Sequence, residues 1–187
     1  NKIAFTSLRD GFMQIYAINL DDNSVQRLTE TKKVNNELTR QPAWSPFGNQ
    51  IAYAFQRYSA YQLWVMADTG ESQEQLTQSG YDLWDTNPVW SPDGEVILYS
   101  QYVPERPLRV WLMSIRYADR GNSGIDVEAE PLPVNDVDYS PDGFWLAFEG
   151  NEDNNRDIFV TTASGASRMR VTSDPANDYD PAWRPTP

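Results

Sequence analysis

Four oxygen-bearing side chains, Gln41, Asn87, Asp136 and Asp180, recur at one position of a repeating motif. Three stand immediately before proline, in Gln41-Pro42, Asn87-Pro88 and Asp180-Pro181, and Asp136 stands before Val137. Carboxylate and amide oxygens are what hard cations take, so a ring of these four would hold Ca²⁺ or Mg²⁺. The same residue types also form turns, cap strand ends and hydrogen-bond nearby backbone. Both readings are open at the level of sequence. Asp85 and Asp178 lie two residues ahead of Asn87 and Asp180, and Asp138 lies two residues after Asp136.

A second set is aromatic. Tyr58 and Tyr61, Tyr81 and Trp84, Tyr102, and Tyr179 fall in or beside segments rich in turn formers. Together with Asp85 and Asp178, the residues Trp84, Tyr179, Tyr81, Tyr58 and Tyr61 make a candidate binding face. Aromatic anchors with polar neighbours serve either a protein hot spot or a sugar platform, in which rings stack on pyranose faces and carboxylates take the hydroxyls. The carbohydrate version, binding or glycoside-active, would use Asp85, Asp136, Asp178 and Asp180 with Trp84 and Tyr179. Part of the aromatic set is also expected simply to cover the ends of a core.

Composition narrows the chemistry. There is no histidine and no cysteine among the 187 residues, which removes the usual general base, the usual zinc ligand, every thiolate site and every disulfide. Ser45, Ser91 and Ser140 therefore have no histidine to activate them, and no catalytic residue is assigned. The net charge of −12 would repel nucleic acid and anionic membrane surfaces. No stretch approaches the roughly 18 apolar residues of a membrane span, so no direct membrane insertion is expected. The chain opens directly on the strand-like Lys2-Ile3-Ala4-Phe5, the start expected of a domain excised from a longer protein.

The elements that would position these residues are written as repeats. Pro42-Ala43-Trp44-Ser45-Pro46-Phe47-Gly48, Pro88-Val89-Trp90-Ser91-Pro92-Asp93-Gly94 and Val137-Asp138-Tyr139-Ser140-Pro141-Asp142-Gly143 each lead into an apolar run, and Pro181-Ala182-Trp183-Arg184-Pro185 begins a fourth copy. In these turns proline restricts φ, aspartate bonds its own backbone and glycine supplies the left-handed conformation. An alternating strand follows in each unit, at Gln14-Ile15-Tyr16-Ala17, Gln62-Leu63-Trp64-Val65, Arg109-Val110-Trp111-Leu112 and Asp157-Ile158-Phe159-Val160. A last short strand is read at Gln26-Arg27-Leu28-Thr29, Glu74-Gln75-Leu76-Thr77 and Met169-Arg170-Val171-Thr172, with a blurred copy near Glu130-Pro131-Leu132.

Successive aromatics Trp44, Trp90, Tyr139 and Trp183 are 46, 49 and 44 residues apart. Running from Trp183 off the C-terminus and on from Asn1 to Trp44 completes one more such period. A period in the forties with four strands per unit predicts an all-β β-propeller. The expected form has four blades of four antiparallel strands, closed by pairing the C-terminal strand with the N-terminal blade, which leaves no exposed edge. In this single domain, 1–187, blade 1 is split between 1–36 and 178–187, and blades 2, 3 and 4 occupy 37–80, 81–132 and 133–177. The alternative is half of a larger ring, or one half of a dimeric eight-bladed ring, so the expected state is a monomer or a homodimer.

Pro-x-Trp-Ser-Pro-Asp-Gly followed by an Ile-Ala-Tyr/Phe strand, then Ile-Tyr/Trp-Val and Arg/Gln-Leu-Thr, resembles the WD40-like repeat of the TolB type, in four copies over essentially the whole chain. That family includes periplasmic proteins that bind a peptidoglycan-associated lipoprotein and propellers that gate prolyl-oligopeptidase-type peptidases. The resemblance implies a non-catalytic interaction module in a periplasmic, secreted or cell-surface protein of a bacterium, with a protein or cell-envelope component as partner.

Overall fold

The computed structural model describes residues 1–31, 36–80, 82–102, 110–119, 124–126, 134–152 and 155–184. The described chain is built of antiparallel strands in four sheets. The first sheet holds β1 (Lys2–Ser7), β2 (Gln14–Asn19) and β3 (Val25–Arg27). The second holds β4 (Leu38–Trp44), β5 (Gln50–Arg57), β6 (Ala60–Ala67) and β7 (Glu74–Gln75). The third contains β8 (Trp84–Trp90), β9 (Val96–Tyr102), β10 (Val110–Arg116) and β11 (Gly124–Asp126). The fourth contains β12 (Val134–Tyr139), β13 (Trp145–Glu152), β14 (Asn155–Thr162) and β15 (Met169–Arg170). Each sheet is a meander in chain order, as short strands with tight turns require. No helix among the described residues is long and apolar enough to cross a membrane.

Two compact units divide the chain, Asn1–Pro88 and Val89–Pro187, with the boundary inside β8. In the first, Ile15, Ala17 and Leu28 of the first repeat pack with Ile51, Tyr53 and Met66 of the second, and Trp44 and Phe55 lean on that cluster. In the second, Leu98 and Leu112 pack with Val137, Leu146, Phe148 and Phe159, with Tyr139 against them. Trp44 and Tyr139, equivalent in the repeat, thus both serve the core. Alternation supplies this pattern, since every second residue of a strand faces the neighbouring sheet.

The repeated turn does what its residues dictate. In the third sheet Asp93 Oδ1 accepts hydrogen bonds from Ser91 Oγ (2.5 Å) and the Glu95 amide (3.0 Å), and Ser91 Oγ accepts from the Val96 amide (2.9 Å). Asp142 repeats this with Ser140 and the Phe144 amide. Where Phe47 replaces the aspartate, Asn49 takes the serine hydroxyl instead (3.1 Å). Gly48, Gly94 and Gly143 sit at φ of 70°, 71° and 75°, the left-handed conformation that glycine adopts without steric cost. At the outer edge, Thr29, Thr77 and Thr172 accept the amides of Ile15, Leu63 and Ile158, which tethers each last strand to its neighbour.

Two differences from the expected layout stand out. The last strand of the third sheet is β11, ahead of the blurred copy read near Glu130-Pro131-Leu132, which lies outside the described residues. Closure by the C-terminal strand is not formed among the described residues: the first sheet has three strands, and 178–184 carry none. The amides of that segment bond within the second unit instead, Asp178 to the Arg156 carbonyl (2.9 Å), Asp180 to Glu149 Oε1 (2.9 Å) and Trp183 to Asp138 Oδ2 (2.8 Å). Pro185 lies outside the described residues.

Candidate functional site

The four repeated polar residues share a backbone state that their types alone did not announce. Gln41, Asn87, Asp136 and Asp180 have φ of 56°, 52°, 39° and 53°. Strand pairing shifts register between Arg40 and Ala43 and again between Asn135 and Val137, so Gln41 and Asp136 are bulge residues. A left-handed conformation is uncommon for residues other than glycine and best tolerated by Asn and Asp, and a bulge re-aims a side chain out of the alternating pattern. Strain of this kind recurring at one position marks it as a functional candidate.

In the first unit the two such residues satisfy each other. Gln41 Oε1 accepts the Asn87 amide (3.2 Å), and Gln41 Nε2 donates to Asn87 Oδ1. Beside them the Arg40 guanidinium lies 4.0 Å from the centre of the Tyr61 ring, and Tyr61 meets Trp84 edge-to-face at 5.1 Å. Tyr61 is only 4% exposed and Asp85 is wholly buried, its Oδ2 accepting from Ser79 Oγ (2.6 Å). Tyr61 and Asp85 are thus part of the buried packing of the first unit. Tyr58 is placed elsewhere, 58% exposed beside Arg57, and Tyr81 lies outside the described residues.

The second unit brings together carboxylates. One oxygen each of Asp136, Glu149 and Asp180 lie within 4.8 Å of one another. Asp136 and Asp180 are exposed, whereas Glu149 is 3% exposed, accepts the Asp180 amide and has Arg156 Nη1 3.7 Å from Oε2. Arg156 also stands over the Tyr179 ring at 5.6 Å, and Tyr179 is 52% exposed. The Asp136 carboxyl is raised above the usual carboxylate range by partial burial and by the charge of Asp180, with Arg156 opposing. Asp178 sits beside this group with its Oδ2 buried and without a hydrogen bond among the described residues.

Glu149 escaped the sequence reading. It falls within a strand at the position that is Ala54 in the second repeat and Ser100 in the third, so the available signal was a buried carboxylate where the other copies carry small residues. The assembled group offers three carboxylates and one guanidinium with an exposed phenol alongside. It can coordinate a hard cation, or receive a partner's basic and donor groups around an aromatic anchor.

The family model for the TolB beta propeller domain matches residues 1–128. The Tol-Pal system protein TolB of Anaeromyxobacter dehalogenans (strain 2CP-1 / ATCC BAA-258) is 32% identical over 145 residues, covering 78% of this chain and 31% of that protein. The uncharacterized peptidase YuxL of Bacillus subtilis (strain 168) is 31% identical over 145 residues, covering 77% of this chain and 20% of that one. The chain therefore spans a third or less of these curated relatives. Among solved structures, a putative TolB from Agrobacterium tumefaciens superposes with a TM-score of 0.74 at 16% identity, over 91% of this chain and 61% of that one. TolB from Acinetobacter baumannii gives 0.72 at 17% identity, over 91% and 40%. Such identities speak to fold alone, and they agree with the antiparallel sheets and repeated turns described above. The chain belongs to the TolB β-propeller domain family.

Proposed function

We propose that this chain is a non-catalytic interaction module of a bacterial cell-envelope protein, exposed to the periplasm or the exterior. It receives a protein partner on the face formed by Asp136, Tyr179, Asp180 and Arg156. The observation that carries this reading is the exposed Tyr179 ring beside a carboxylate cluster that includes the left-handed residues Asp136 and Asp180. An aromatic anchor ringed by charge is the composition of a binding hot spot. The hydroxyls of Ser91 and Ser140 donate into their own turn carboxylates, and the chain has no histidine, which favours binding over hydrolysis.

A divalent cation, Ca²⁺ or Mg²⁺, fits the same face through Asp136, Glu149 and Asp180. Gln41 and Asn87 drop out of the cation reading because each already occupies the other. Such an ion would offset the repulsion between Asp136 and Asp180 and leave open coordination positions for a partner's oxygens.

The test is a titration with the soluble domain of a peptidoglycan-associated lipoprotein, the partner class the family resemblance implies. Saturable binding is expected, weakened about tenfold or more by Tyr179→Ala, as removal of an aromatic anchor does, and unchanged by Tyr58→Ala. Absence of saturable binding, or equal loss in both variants, overturns the reading.

A further inference from the structure

We infer that the first unit carries a separate groove that binds a neutral sugar, built on Phe55 and Trp64 and independent of the protein-binding face. The groove encloses about 520 Å³, within the range of roughly 300–1,000 Å³ typical of small-molecule sites. Phe55 and Trp64 meet edge-to-face at 5.2 Å, and both are braced from behind by the Ile51, Tyr53 and Met66 cluster. They are therefore held rigid, and both line the groove.

Around the rings the lining is amide. Cross-strand pairing sets Gln62 opposite Phe55 and Gln75 opposite Trp64, which puts an amide next to each ring. Gln62 Nε2 donates to the Ser79 carbonyl (2.6 Å), and Gln75 Nε2 donates to Gln62 Oε1 and to the Thr77 carbonyl. These bonds fix the two amides as a ladder. Gln78, exposed at the rim, has no partner among the described residues, and an amide offers two donors and an acceptor.

Charge completes the argument. The chain carries 27 acidic residues, yet among the described residues none lines this groove. Arg57, the cation among the described lining residues, stands 3.7 Å from Glu37, so the described lining is close to neutral. Ring surface flanked by fixed and free amides, without net charge, suits a pyranose: its C–H face lies on an aromatic ring and its hydroxyls exchange hydrogen bonds with amides. Tyr58, exposed at the rim, gives a longer glycan a second ring to rest on. The carbohydrate chemistry read from the sequence is thus placed away from Asp85, which is buried.

The test is titration of the full chain with chitotetraose and cellotetraose, with trigalacturonate as an acidic control, followed by tryptophan fluorescence and calorimetry. A neutral tetrasaccharide is expected to bind saturably. Gln78→Ala should weaken it several-fold without moving the melting temperature, Trp64→Phe should weaken it about tenfold in a folded protein, as loss of indole area does, and Tyr179→Ala should leave it unchanged. No saturable binding of either neutral glycan, binding confined to trigalacturonate, or affinity untouched by both Gln78→Ala and Trp64→Phe would overturn the proposal. Because Tyr179 belongs to the other face, failure here leaves the protein-binding reading to its own experiment.

Discussion

The same repeat position yields a closed pair in one unit and an open acidic cluster in the other. Gln41 and Asn87 bond to each other, and the side-chain oxygen of each accepts from the other residue. Asp136 and Asp180, with the same left-handed φ, cannot do this, because two carboxylates repel and neither donates. A buried Glu149 in place of Ala54 adds a third acid, and Arg156 supplies one cation. The same left-handed φ thus carries a closed amide pair in one unit and an open acidic cluster in the other, and the side chains chosen at that position make the difference.

That contrast can be broken from either side. Placing the acid in the first unit, Ala54→Glu, puts a carboxylate at a site with no exposure. It should cost about 3–5 kcal/mol, the penalty of an uncompensated buried charge, seen as a large fall in denaturation midpoint; a loss under about 1 kcal/mol would mean the two units are less different than described. Removing the acid from the second, Glu149→Ala, takes the acceptor from the Asp180 amide and should cost about 1–3 kcal/mol. Gln41→Ala opens the amide pair and should cost about 1–2 kcal/mol, with no effect on lipoprotein-domain binding.

Proton linkage distinguishes the acids by sign. The Asp136 carboxyl is raised in the folded protein, so it binds its proton more tightly there than in the unfolded chain. Its contribution falls as pH rises from the unfolded value through the folded one, and the penalty is complete above that. Asp93 and Asp142 are lowered, chiefly by the hydroxyls of Ser91 and Ser140. Their contribution is present above the unfolded value and is lost as pH falls through the folded one. Asp180→Asn should bring Asp136 back toward the ordinary range, which carboxyl-carbon NMR titration reads directly; an unmoved Asp136 would show that burial alone raises it.

Much of the frame was legible because repetition amplifies weak signals. A single Ser-Pro-Asp-Gly turn is ambiguous, whereas three turns at matching spacing, each followed by an apolar run, specify a meander of short strands. The four left-handed residues were found by aligning the repeats, without any means of knowing their φ. Glu149 was not found, since a lone acid inside an apolar strand is recognised only when its partners converge on it from β12 and the 178–184 segment. The aromatic set was split by burial: Tyr61 is buried against Trp84 and Arg40, while Trp64, read as an ordinary strand residue, lines a groove with Phe55. Ring closure was inferred from period arithmetic, yet period says nothing of which acceptors the last segment's amides find.

The claim that the acidic pair Asp136 and Asp180, and not its amide counterpart, marks the binding face is tested most directly by NMR chemical-shift mapping. With the peptidoglycan-associated lipoprotein domain added stepwise, the expected shifts concentrate at Asp136, Glu149, Arg156, Tyr179 and Asp180. Shifts concentrated at Arg40, Gln41, Tyr61 and Asn87 instead would contradict it.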